Sequence, residues 1–412
     1  IFAKETQRHE ELRTSDRCDE YDERKYARLA EGNVTEVELS SALADLSAML
    51  HKHYGTAPVI IIDEYDTPIQ QGYMKGYYEE ITLFMRNLFS GGFKDNKHLA
   101  FGFLTGILRV AKESIFSGMN NLSINSVLDH KYSAYFGFTP DEVREMAAYY
   151  GASDKYDEIC EWYDGYRLIA HRQTGNECYS MYSPKSVVEA MLRHKFGTYW
   201  NQTETYEALK IYIQMDMDGL KDSVVRMLAG ESVPINIGTF SNDMTTFATK
   251  DDVLTLLVHL GYLTYDSVDG TVSIPNKEVS REYVNAISTM NWHGVAESVE
   301  SSRKLLEALW NMDADAVAEG IEKAHEEISI LQYNDENSLS CTIQLAFYFA
   351  REYYTIIREL PAGKGFADVC MIPRKRYADK PAIVIELKWD KSAAGALEQI
   401  KGKNYGNALK DY

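Results

Sequence analysis

The stretch VTEVELSSALADLSAMLHKHYG (34–55) spaces its apolar side chains as one helix face and ends on a glycine, which predicts an amphipathic helix inside a highly charged, helix-rich segment from Ile1 to about Gly55. The pattern then changes. APVIIIDEYDTPI is a continuous β-branched run that breaks into acids, and it predicts a strand buried on both faces. LAFGFLTGILR predicts a second buried strand ending in Thr105 and Gly106, and between the two YYEEITLFMRNLFSGGF predicts a helix closed by Gly91 and Gly92. Strand, helix, strand implies a parallel pair. From about Thr139 to Ile330 the pattern is helical, opening on a Thr cap and a Pro in TPDEVREMAAYYG. From about Asn334 the order is helix (ENSLSCTIQLAFYFAREYY), strand (GFADVCMI), basic turn (PRKRYADKP), strand (AIVIELKW) and helix (AAGALEQIKGKNYG). There is no repeat period and no long linker.

Composition narrows the class. At roughly 100–200 residues per domain, 412 residues make two or three domains. Hydrophobic residues at 45% and charged residues at 25% exclude a disordered, collagenous or low-complexity chain. No apolar run approaches the roughly 18 residues a membrane span needs, so a cytoplasmic protein without membrane contact is expected. The five cysteines (Cys18, Cys160, Cys178, Cys341, Cys370) are scattered without a CxxC spacing, which fits a reduced compartment. The chain opens on Ile1 instead of Met, as a piece of a longer protein would.

The net charge of −19 argues against a sequence-independent DNA-coating protein. Its distribution says more. Residues 326–412 carry 12 basic and 12 acidic side chains, against 31 and 50 upstream, so a neutral C-terminal module can approach phosphate locally. The Arg374, Lys375, Arg376 turn, with Lys401 and Lys403, is read as solvated surface.

AIVIELKW carries the most chemistry. Glu386 and Lys388 stand two apart on a predicted strand, hence on one face, and buried charges must be paired or bind a cation. Asp368 is a lone acid on the preceding apolar strand. If the strands pair, Asp368 and Glu386 converge on one hard cation, with the Leu387 carbonyl as a third oxygen; Mg²⁺, or Mn²⁺ as substitute, suits that set. Lys388 would position water or meet the charge developing on a phosphate. Taken alone, Glu-x-Lys equally describes an exposed ion pair on an edge strand. These residues together resemble the PD-(D/E)XK nuclease superfamily: Asp368, then Glu386-Leu387-Lys388, then Gln399 on the next helix, with Glu336 matching the acid on the helix that precedes the strands. Glu359 is a further candidate without an evident partner.

VIIIDEYD has the form of a Walker B segment, in which Asp63 orders a Mg²⁺ shell and Glu64 polarises water, with Thr105 as the polar end of the neighbouring strand and Arg109 within reach of a γ-phosphate. IIIDEYDTPI and LTGILRVAKESIFSGMNNL, with WYDGYRL, YSPKSV, HLGYLT and IPNKEV downstream, look like the AAA-ATPase-like family that is often fused to a PD-(D/E)XK domain. The departure is that no GxxxxGK[ST] occurs in this sequence, so ATP binding is expected only in a longer chain carrying Walker A, and Asp63, Glu64, Thr105 and Arg109 are read as remnants of a nucleotide site.

The resemblance implies an α/β protein: a partial P-loop (ASCE/AAA-like) ATPase domain over 1–138, a mainly helical extension over 139–325 and a restriction-endonuclease-like α/β domain over 326–412. It implies a Mg²⁺-dependent nuclease acting on nucleic acid, DNA before RNA, as a homodimer where both strands of a duplex are cut. The alternative is a nucleotide-regulated module that binds nucleic acid or protein without cutting. A third reading, an active ATPase, requires nucleotide binding by this chain. The ten histidines form no ligand motif, so no zinc is expected, and Ser114 and Ser117 lack the partners of a serine hydrolase.

Overall fold

The computed structural model describes residues 2–107, 122–128, 130–172, 175–200, 205–215, 217–240, 247–290, 292–327, 336–362, 365–388 and 393–403. They divide into two units, residues 1–129 with 237–260, and residues 130–236 with 261–412. Each mixes helices with small sheets.

In the first unit the helices Glu20–Glu31 and Glu36–Tyr54 start at reciprocal caps, Asp19 with Asp22 and Thr35 with Glu38, and end at Gly32 and Gly55 in the left-handed conformation. Their apolar faces enclose Leu12, Tyr26, Leu29, Ala42 and Met49. Strands β1 (Val59–Ile62) and β2 (Phe101–Leu104) pair in parallel, Val59 opposite Phe101 through Ile62 opposite Leu104. The helix Tyr78–Phe93 lies between them in the chain, as a parallel crossover requires.

Two expectations fail here. Neither strand is buried on both faces: Val59, Ile61, Phe101 and Phe103 are exposed, Ile61 at 70%, because these two strands form a two-stranded sheet with one apolar face uncovered. Gly91 and Gly92 also do not close their helix, which runs on to Phe93. A Cβ on Gly91 would lie 2.8 Å from the Ser40 carbonyl oxygen and one on Gly92 2.9 Å from Leu43 Cβ, so their role is to let the helix Glu36–Tyr54 approach closely.

The second unit contains more strand than the helical pattern suggested. β3 (Tyr166–Arg172) and β4 (Gly175–Met181) form an antiparallel hairpin, and β5 (Val233–Pro234), β6 (Thr264–Asp266) and β7 (Thr271–Ser273) form a sheet ordered β5-β7-β6. The helix Pro140–Tyr149 begins at the Thr139 cap with Pro in its first turn, and Val143, Ile159, Trp162, Tyr163, Tyr182 and Val187 fill the core beside it. Burial of side chains of this size stabilises by about 1.5–3 kcal/mol each.

The C-terminal sheet is ordered β10-β9-β8, from β8 (Tyr354–Ala362), β9 (Gly365–Pro373) and β10 (Ile383–Ile385), all antiparallel. β8 corrects the expectation that the preceding helix reaches Tyr354: the helix Glu336–Ala346 stops, a 3₁₀ turn spans Tyr348–Glu352, and the chain reverses into strand. β9 has strands on both sides, and Ala367, Val369, Cys370 and Met371 are fully buried.

Candidate active site

The register of β9 and β10 builds the site. Ile383 stands opposite Met371, Val384 opposite Cys370 and Ile385 opposite Val369, so the next step in each strand sets Glu386 opposite Asp368. Residues opposite one another share a face of the sheet. The Leu387 amide N–H donates to Asp368 Oδ2 at 2.7 Å, which fixes that carboxylate against the segment that carries Glu386.

Glu386 and Lys388 lie just past the last paired residue of β10, yet they are no surface pair: the Glu386 side chain is 1% exposed and the Lys388 side chain 18%. Lys388 Nζ donates to Glu386 Oε1 at 2.9 Å, and Gln399 Nε2, from the helix Ala393–Lys403, donates to the same oxygen. Both donors converge on Oε1. Glu386 Oε2 is buried and has no hydrogen-bond partner among the described residues. An orphaned carboxylate oxygen is costly in a protein interior, and a cation is the partner that would relieve it. The donor set fits a hard divalent cation: two carboxylates facing each other and oxygen ligands close by. Among the described residues no three acidic, histidine or cysteine side chains cluster as a ready-made metal site.

The Glu386 carboxylate is felt by its neighbour. Burial first, and the nearby Glu386 charge second, push the Cys370 thiol up to about 11, so it stays a neutral apolar filler.

Glu336 is the first residue of the helix Glu336–Ala346, and its side chain lies outside the described residues. Glu359 is exposed at a positive φ of 48° on β8, with no bond to Asp368 or Glu386. Of the basic turn, Lys375 is solvated surface as expected, 92% exposed and 3.1 Å from the exposed Asp157, whereas Arg374 is partly buried against Glu161 at 3.1 Å and Arg376 pairs with Glu158 at 2.8 Å. The turn therefore meets the helix Tyr156–Tyr163, partners that no local pattern could reveal because they lie some 200 residues away. The bond from Leu387 to Asp368 was equally hidden, since it depends on strand register.

In the first unit Asp63 and Glu64 follow β1 and are exposed. Asp63 Oδ1 accepts from the Thr105 hydroxyl and, at 3.0 Å, from the Glu64 amide, so the ends of β1 and β2 bring Asp63 and Thr105 together as the spacing suggested. Glu64 has a φ of 52°, a conformation uncommon for a residue with a side chain. Arg109, Ser114 and Ser117 lie outside the described residues. None of the described helices is long and apolar enough to cross a membrane.

Comparison with known proteins gives two family matches in chain order. Residues 2–116 match the family described as "Predicted AAA-ATPase", and residues 335–412 match the PD-(D/E)XK nuclease superfamily. An uncharacterized protein in the vnfD 5' region of Azotobacter chroococcum mcd 1 is 33% identical over 172 residues, 42% of this chain and 32% of that protein. The match thus spans about a third of the relative's length. No solved structure matches the chain.

Proposed function

With an AAA-ATPase-like segment at its N-terminal end and a PD-(D/E)XK segment at its C-terminal end, we propose that this chain is a metal-dependent nuclease that hydrolyses phosphodiester bonds in nucleic acid, with DNA the first substrate to test. The observation that carries the reading is the unpartnered, buried Oε2 of Glu386, opposite Asp368 and beside Lys388.

In this reading Asp368, Glu386 and the Leu387 carbonyl hold Mg²⁺. A bound divalent ion supplies Lewis acidity to a phosphate oxygen and lowers the pKa of water. The protein groups do the positioning. Gln399 and Lys388 both grip Oε1 and so leave Oε2 free to face the cation. The Lys388 ammonium sits where it can hold water or meet negative charge that develops as the phosphorus is attacked. Glu336, at the start of its helix, is the supporting acid.

The test is cleavage of plasmid DNA and of a labelled RNA of equal length in Mg²⁺, Mn²⁺ and EDTA, by the wild type, Asp368→Asn and Glu386→Gln. Cleavage that requires the cation and both carboxylates supports the reading. Equal activity in either variant refutes it. Binding of nucleic acid without any cleavage in either cation would instead favour the non-cutting module.

Asp63, Glu64, Thr105 and Arg109 are proposed as the Walker B and sensor positions of an ATPase-like site that takes ATP only where a phosphate-cradling loop is supplied. Without that loop, Asp63→Ala is expected to show the same melting-temperature response to excess ATP and Mg²⁺ as the wild type.

A further inference from the structure

A cavity of about 550 Å³ lies inside the second unit, within the roughly 300–1,000 Å³ range of small-molecule sites. Its wall carries Lys277, Arg281, Arg351, Arg358 and Arg374. Among the described residues that line it, three carboxylates accompany these five cations, from Glu161, Glu231 and Glu352. In a chain of net charge −19, a cavity wall with an excess of positive charge stands out.

The three carboxylates are all engaged. Glu161 meets Lys277 at 2.6 Å and Arg374 at 3.1 Å; Glu352 meets Lys277 at 3.2 Å and Arg281 at 3.0 Å; Glu231 meets Arg358 at 2.6 Å and Arg226 at 2.8 Å. Arg351 has no carboxylate among the described residues. Its Nε is buried without a hydrogen-bond partner, and its guanidinium lies 5.6 Å from the Tyr348 ring centroid. Burial lowers its pKa from the ordinary value, a change that leaves an arginine charged. The fold makes room for this group: a Cβ on Gly230, at a φ of +90°, would stand 2.8 Å from Arg351 Nη2.

A half-buried cation without a counter-charge is destabilising, and a planar fork of N–H donors matches phosphate. Tyr348 and Phe349 add aromatic surface to the same wall, which suits a flat ring attached to that phosphate. We propose that this cavity binds a small phosphate-bearing ligand of nucleotide size, with Arg351 as its principal anion contact. The cavity and the carboxylate pair share strands: Arg358 stands opposite Val369, the neighbour of Asp368. The binding itself does not depend on nuclease activity, so it is read without any cleavage assay.

The experiment uses the full chain, with AMP and orthophosphate as probes at constant ionic strength, followed by calorimetry and thermal melting. Both probes are expected to bind the wild type and raise its melting temperature. Tighter binding of AMP identifies a nucleotide as the source of the phosphate, and equal binding identifies the free anion; either supports the site. Arg351→Met should weaken both by about tenfold or more while melting at or above the wild type in phosphate-free buffer, since an unpaired half-buried charge is removed. Arg281→Ala, a half-exposed position whose partner Glu352 keeps Lys277, should weaken both roughly threefold and provides the test if Arg351→Met fails to fold. Failure of both probes to bind the wild type at concentrations of about 10 mM, or unaltered binding in the folded variants, overturns the proposal.

Discussion

Lys388 and Glu386 form an ion pair at 2.9 Å in which the acid is almost wholly buried and the ammonium reaches partly into solvent. Removing the cation strands a carboxylate inside the protein. Lys388→Met is therefore expected to lose stability, towards the ~3–5 kcal/mol found when one partner of a buried pair is deleted, with Gln399 offsetting part of the loss. Adding Glu386→Gln should restore much of it. Urea unfolding of the two single variants and the double variant measures the coupling; strictly additive losses would show that the pair is not energetically joined.

Asp368→Asn separates chemistry from folding. Asparagine keeps an acceptor for the Leu387 amide, so the melting temperature should change little, while a negative cation ligand is lost. Plasmid cleavage is expected to fall by more than about 100-fold, beyond the 10–100-fold typical of outer-shell partners. A drop in melting temperature that matches the drop in activity would reduce Asp368 to a structural role.

Cation binding should register as stability. If Glu386 Oε2 faces a divalent ion, Mn²⁺ added to protein freed of metal by EDTA relieves an orphaned buried oxygen and raises the melting temperature. The rise should vanish in Glu386→Gln. Equal rises in both proteins would place any ion elsewhere.

How far the sequence carried this picture depended on whether a feature is local. Caps at Thr35 and Thr139 lie beside the residues they serve, and both helices start where the pattern put them. The parallel pairing of β1 with β2 followed from one strand, helix, strand unit. Opposition of Asp368 and Glu386 needed only that two strands adjacent in the chain pair with one another. The misses needed partners far away in the chain. β8 was missed although TIIREL is rich in strand-forming Thr and Ile, because helix-forming residues run into it without a break and only pairing with β9 marks where the strand Tyr354–Ala362 begins. Likewise, nothing in a window around Arg351 shows that Gly230 packs against its guanidinium or that the paired Glu161 and Glu231 line the same cavity.

Glu161 is a hub in the second unit. Its buried carboxylate meets Lys277, Arg374 and, at 3.5 Å, Arg376, so it joins the C-terminal basic turn to the helix Tyr156–Tyr163. Glu161→Ala leaves these cations short of their shared counter-charge and should cost about 3 kcal/mol or more. Chemical unfolding measures this, and a cost below about 1 kcal/mol would show that the network is held mainly by its exposed pairs.

Glu278 gives a pH test. Burial raises its carboxyl above the ordinary value of 4.5, against the hydrogen bonds that its Oε1 accepts from the Tyr199 and Trp200 amides at 2.6 and 2.9 Å. The folded chain therefore keeps the proton at pH values where the unfolded chain has released it. Its stabilising contribution is complete below the unfolded-state pKa and is lost as pH rises through the higher folded-state pKa. In Glu278→Gln the amide oxygen keeps both backbone donors and the amide nitrogen can donate to the Ser186 hydroxyl, while the buried charge is gone. The stability of the wild type minus that of the variant should thus fall steadily from acid pH towards neutrality, and the variant should be at least as stable as the wild type at pH 7. Melting both proteins across that range gives the sign directly, and a difference that grows with pH would mean that the carboxylate is stabilised, not penalised, by its surroundings.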